Sequence, residues 1–135
     1  MAAAFALGAE AVQMGTRFVC SAESPVHMNY KQAIIDAKET GTYVLNKKST
    51  PCIRALKTNR TAAIHEEGLM PPDTFARILD LYFGGDMEAA VGLAGETAGL
   101  ISRVKTAKEI IDDTIAEFFE ITARMGSLAA ARSFG

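Results

Sequence analysis

Four consecutive residues, Gln13-Met14-Gly15-Thr16, have the types and order that can hold an anion. The short apolar run Ala11 to Met14 reads as a buried strand bounded by Gly8 and Gly15, and it would deliver the turn that follows. Gly15 removes a side chain, so backbone N–H groups can approach a phosphate closely, and Thr16 adds a hydroxyl. Ser24-Pro25 has the form of an N-cap followed by a first-turn proline. A helix starting there could turn its positive end toward the same anion. A plain turn after a strand uses the same residue types, so the spacing alone leaves both readings open.

The remaining chemistry-bearing residues are isolated. His27, in "SPVHMNYK", can face the anion or can pack against or cap its own helix turn. His65, in "AAIHEEG", falls near a helix end, where it can satisfy the dipole. Neither histidine has a second ligand at helical spacing, so no metal site is expected. Arg17 can contact a phosphate or pair with a carboxylate. Asp112, Asp113, Glu117 and Glu120 are spread around a helix and read as a solvated face. Cys20 and Cys52 have no metal-ligand or redox-motif spacing and are expected to be buried, reduced thiols.

The elements that must position these residues are mixed. At 135 residues the chain can form one domain with a real core, and 49% apolar with 22% charged residues is ordinary for a soluble globular protein. A net charge of −2 without a basic stripe argues against a general nucleic-acid binder. The run "MAAAFALG" reads as a helix over Ala2–Leu7 stopped at Gly8, with no capping residue before it, as if it continued an earlier element. It lacks the basic flank of a signal peptide and the length of a membrane span.

Further along, helices are expected from Ser24 to about Lys38 and from about Cys52 to Glu67, with a short strand at "TYVLN" between them. Phe75, Ile78, Leu79 and Tyr82 give one apolar helix face. Asp86 should cap a short helix ending at Gly95. Thr106 and Glu109 form a capping box for a last helix with the stripe Ile110, Ile111, Ile115, Phe118 and Ile121, ending at Gly126. A lone buried strand at 11–14 has no partner strand nearby in sequence, which suggests the end of a larger α/β protein.

"ALGAEAVQMGTRF" followed by "ESPVHMNYKQAIIDA", with "STPCIRALKT" and "LAGETAGLI" further on, resembles the FMN-dependent nitronate monooxygenase (2-nitropropane dioxygenase) family. FMN-dependent enoyl-acyl-carrier-protein reductases belong to the same superfamily. The resemblance covers nearly the whole chain. It implies an α/β fold, the C-terminal fragment of a (β/α)8 TIM barrel with a mainly helical inserted subdomain.

On that reading residues 1–22 hold the remnant of the seventh outer helix, the eighth strand and the phosphate loop. Residues 23–100 form the extra helix and insertion, and 101–135 the closing outer helix and tail. Gln13, Met14, Gly15 and Thr16 become the FMN-binding residues. Strands one to seven, the catalytic histidine loop and an earlier glycine-rich loop have no counterpart here, so no catalytic residue is assigned. Where the family reads "AGQ-x-AGL" this chain has Glu96, either an unfavourable charge near the flavin site or a partly exposed helix-end residue without functional effect.

The resemblance implies a cytoplasmic enzyme acting on a small molecule, without nucleic acid or membrane. That substrate is an alkyl nitronate oxidised through FMN, or an enoyl thioester reduced with NAD(P)H. A reading of another class is an inactive truncated fragment. Such a fragment would bind FMN weakly at best and self-associate through exposed barrel surfaces.

Overall fold

The backbone of Thr42–Leu45 (β1) and Ile53–Leu56 (β2) pairs in an antiparallel hairpin, with Thr42 opposite Leu56 and Leu45 opposite Ile53. This is a computed structural model describing residues 1–132, so the last three residues of the closing unit lie outside the described residues. β1 matches the β-branched and aromatic run read as a strand. β2 overturns the first half of the expected Cys52–Glu67 helix. Its outer edge is also used, because the Leu56 amide donates to Gly92 O at 2.9 Å and the Ala94 amide to Arg54 O at 3.2 Å. Backbone groups satisfied on both sides have no reason to turn helical. The helix α4 (Asn59–Glu67) starts only after Thr58, whose hydroxyl accepts the Thr61 amide in a capping box, and it stops at Gly68 in the left-handed region as expected.

The same edge pairing removes the helix expected between Asp86 and Gly95. Asp86 does accept the Glu88 amide, but Leu93 bridges Ala55 and the segment runs extended along β2. The Glu88 carboxylate then reaches the start of α4 and accepts the Asn59 and Arg60 amides.

The helix α3 (Met28–Asp36) begins later than Ser24-Pro25 suggested. His27 is its N-cap, with Nδ1 accepting the Asn29 amide at 3.1 Å. Ser24 serves another purpose: its carbonyl accepts the buried Lys31 ammonium at 2.8 Å. The stripe from Phe75 to Tyr82 shortens to α5 (Ile78–Tyr82), since the chain after Pro71-Pro72 runs through turns. Leu79, expected to be inward, is 66% exposed, and Leu81 is the buried residue.

Near the N-terminus α1 (Ala2–Ala6) forms as expected and is followed by Gly8 at φ +95°. Residues 11–14 are not a strand. They pair with no described residue, and Ala11, Val12 and Gln13 are exposed. A strand exists only through its ladder, and no neighbouring strand lies beside this run among the described residues. Phe18 turns away into α2 (Thr16–Val19).

The last helix, α6 (Ala107–Arg132), is capped by Thr106 and Glu109 as expected. It passes through Gly126 without stopping. One glycine costs about 1 kcal/mol in a helix interior, too little to end a long helix. Of its expected apolar stripe only Ile110 is buried; Ile111 and Ile115 are exposed.

The main core gathers Cys20, Tyr30, Ile34, Leu56, Leu81, Ala90 and Ala98, and a smaller one joins Leu45, Ala55, Ile64 and Val91. Cys20 is buried as expected, and burial pushes its thiol up; Cys52 is exposed, contrary to expectation. The result is a partial α/β arrangement with one two-stranded sheet, in which α3 and the β2 edge hold the segment from Gly92 to Gly95 against α2. No helix among the described residues is long and apolar enough to cross a membrane.

Candidate functional site

Gln13, Met14, Gly15 and Thr16 lie together on one wall of a groove of about 540 Å³. Arg17, Gly95, Thr97 and Lys105 continue that lining, and Ile110, Asp113 and Glu117 of α6 form the opposite side. The local geometry follows from the loss of the strand: the chain arrives unpaired and turns at Gly15 into α2.

A Cβ built on Gly15 would meet nothing within 4 Å, and the residue sits at φ −94°, where any residue is allowed. Nothing in the described chain therefore demands a glycine there. The amides of Gly15, Thr16 and Arg17 donate to no acceptor among the described residues. Open space above a glycine and three adjacent unpaired donors fit an anion approaching from outside the described chain.

Thr16 is more constrained. Its Oγ1 accepts the Gly95 amide at 2.8 Å. A hydroxyl that accepts one bond still has its proton to give, so Thr16 can also donate.

Arg17 lines the same groove but is not paired as its sequence context suggested. Its Nη1 donates to Arg103 O at 2.9 Å, and it forms no ion pair with a carboxylate among the described residues. Lys105 pairs with Asp113 and holds that carboxyl below its usual range. Asp112 pairs with Lys108, and both pairs stand on an exposed face.

The histidines are elsewhere. His27 caps α3, while His65 stacks on Tyr43 with ring centroids 4.3 Å apart. His65 lies in the last turn of α4, but its Nδ1 meets Val44 O at 3.0 Å, so it ties the helix to β1 rather than satisfying the dipole. No group of three or more His, Cys, Asp or Glu able to hold a metal occurs among the described residues.

The family model for nitronate monooxygenase matches residues 1–117. The chain belongs to the nitronate monooxygenase family. It is 52% identical over 46 residues to a probable nitronate monooxygenase of Staphylococcus saprophyticus, covering 34% of this chain and 13% of that protein. It is 37% identical over 67 residues to a probable nitronate monooxygenase of Staphylococcus haemolyticus, covering 49% of this chain and 19% of that protein.

Among solved structures it superposes on FabK from Thermotoga maritima with a TM-score of 0.87 and 40% identity, over 95% of this chain and 43% of that one. A point mutant of the same FabK gives 0.82 and 41%, over 95% and 40%. The chain thus spans under half of the structures it matches and under a fifth of these curated relatives. As a nitronate monooxygenase-family chain it has the fold of one portion of a TIM-barrel protein, and the two-stranded sheet is what that portion forms internally.

Two features of the site were not readable beforehand. One is the Gly95 amide on Thr16; "LAGETAGL" marked the region, but nothing in it pointed 79 residues back. The other is Arg54, whose Nη1 donates to Thr42 Oγ1 at 3.0 Å and whose Nη2 lies 3.8 Å from Glu96. Glu96 opens the 3₁₀ turn Glu96–Leu100 with its side chain 75% exposed, so its charge is turned to solvent and balanced by Arg54.

Proposed function

We propose that the Gln13–Thr16 loop anchors the phosphate of FMN in an oxidoreductase of the nitronate monooxygenase type, with this chain forming its C-terminal portion. The observation that carries the reading is the open space above Gly15 beside three amides unpaired among the described residues, next to a Thr16 hydroxyl with its proton still to give. Family membership supports FMN as the cofactor, since these families are FMN-dependent in general.

In this reading Gly15 and Thr16 bind the phosphate through backbone N–H groups and the Thr16 hydroxyl, and Gln13 and Met14 complete the wall. FMN, when bound, supplies the redox chemistry between substrate and electron acceptor. The residues of this chain hold and orient; none is assigned the base, because His27 and His65 are both committed to structural contacts away from the loop. The substrate is an alkyl nitronate. The superposition on FabK favours a second reading, reduction of an enoyl thioester with NAD(P)H through the same flavin.

Titration of the ¹⁵N-labelled chain with FMN and with inorganic phosphate tests the anchor. Both should shift the Gly15, Thr16 and Gly95 amides first. Shifts confined to other segments would remove the loop from the site. In a preparation containing the whole barrel, oxygen uptake with an alkyl nitronate against NAD(P)H oxidation with an enoyl thioester separates the two chemistries.

A further inference from the structure

A second cleft, of about 460 Å³, shares Gly15, Thr16 and Gly95 with the first. Its remaining lining is Val19, Ile53, Tyr82, Leu93 and Ala94, with Arg54 the one charged residue among them. Leu93 is 41% exposed in this wall, an apolar surface held outward because its backbone is committed: its carbonyl accepts the buried Tyr30 hydroxyl at 2.6 Å.

Arg54 is set in this apolar surface rather than free in solvent. Its backbone is locked in β2 between β1 and the Gly92–Gly95 segment, and Thr42 fixes one edge of the guanidinium. At the other edge its ion-pair partner among the described residues is Glu96, at 3.8 Å, beyond hydrogen-bonding distance. An ion pair that long, with one partner mostly in water, is weak and readily displaced. A planar cation with unused donors on an otherwise apolar wall is suited to a small anion that carries an apolar tail.

We propose that Arg54 receives the charged end of a small organic anion of the alkyl nitronate class, and that Glu96 is the counter-ion it displaces. The proposal deepens the FMN reading and rests on it for two points, the nitronate class of the anion and the placing of the ligand beside the cofactor loop through the shared Gly15 and Thr16. The apolar tail lies along Ile53, Leu93 and Val19. Glu96 then sets specificity by competing for Arg54, so neutral ligands gain nothing from the cation and weakly held anions are excluded.

The test titrates the labelled 135-residue chain with propyl-2-nitronate, with neutral 2-nitropropane and, separately, with inorganic phosphate. Propyl-2-nitronate should shift Ile53, Arg54 and Leu93, and 2-nitropropane should do so at least tenfold less effectively. Arg54→Gln should abolish that preference, and Glu96→Gln, at an exposed position, should tighten nitronate binding several-fold. Equal binding of the neutral compound, an unchanged nitronate affinity in either variant, or nitronate shifts confined to Gly15–Arg17 would overturn the proposal. The phosphate arm reads the other site: if phosphate leaves Gly15 and Thr16 silent while nitronate still requires Arg54, the FMN-anchor reading fails and the Arg54 assignment stands.

Discussion

The Thr16 hydroxyl accepts the Gly95 amide at 2.8 Å across 79 residues of sequence, so the segment extended along β2 is fastened directly to the Gln13–Thr16 loop. The bond ties two requirements to one oxygen. As acceptor it holds the Gly92–Gly95 segment, and as donor it remains available to an anion.

Replacing Thr16 with Val should therefore damage both. The Gly95 amide loses its acceptor in a half-buried position, which costs about 1–3 kcal/mol of stability. Phosphate affinity should fall about tenfold with the lost donor. Thr16→Ser keeps the hydroxyl and should stay close to the parent in both. Urea unfolding and phosphate titration of the two variants check this, and equal behaviour of Val and Ser would deny the hydroxyl its role.

Gly15 separates binding from stability. Because a Cβ there meets nothing within 4 Å and φ is −94°, Gly15→Ala should leave the fold intact or stabilise it by about 0.4–1 kcal/mol through the unfolded chain. Phosphate and FMN binding should nevertheless weaken by tenfold or more, as the methyl occupies the space of approach. A variant that binds phosphate like the parent would mean that the open space is not the anion's path.

How much of this was legible in the residues depends on where each element finds its partners. The Thr106–Glu109 box and the Gly68 stop are local, satisfied within a turn, and the sequence reads them correctly. His27 was readable as a cap because its Nδ1 has only to reach two residues on. Residues 53–56 and 92–94 satisfy one another across nearly forty positions, and in each the local signals suggested helix.

The run at 11–14 failed for the opposite reason. Its short apolar run and flanking glycines suit a strand, but a strand without a neighbour has no ladder to form. At the loop, the sequence made legible only that Gln13 to Thr16 stand together, and as consecutive residues they do line one groove. The Arg54 cleft was not legible, because its cation, tail surface and counter-ion come from three separate stretches of chain, at Val19, Ile53–Arg54 and Leu93–Glu96.

Tyr30 makes the fold sensitive to alkali. Its hydroxyl is buried and donates to Leu93 O at 2.6 Å, and burial, reinforced by neighbouring Tyr82, pushes its ionisation far above the ordinary tyrosine range. A folded-state pKa above the unfolded value means the folded chain holds the proton more tightly. This contribution is complete below about pH 10, the unfolded tyrosine value, and is lost progressively as pH rises beyond it. Urea midpoints should fall between pH 9 and pH 11, and Tyr30→Phe should flatten that fall while costing about 1 kcal/mol at pH 7 for the lost hydrogen bond. An equal alkaline slope in Tyr30→Phe would assign the effect to another group.

Acid acts at the other end of the chain, through the start of α6. The Thr106 hydroxyl and then its amide, both donating to the Glu109 carboxylate, hold that carboxyl below its usual range, with Arg103 and Lys105 adding to the effect. A depressed folded-state value reverses the sign seen for Tyr30. The contribution is present above the unfolded glutamate pKa, about 4.3, and is lost as pH falls through the lower folded value. Glu109→Gln keeps an acceptor for the capping box but has no charge to lose, so its helical signal should be flatter from pH 5 to pH 2.5 than the parent's. Glu109→Ala should start lower at neutral pH and be equally flat. Parallel acid curves for all three would show that the first turn of α6 does not depend on this carboxylate, and would place the acid sensitivity at the Lys105–Asp113 pair one turn further along.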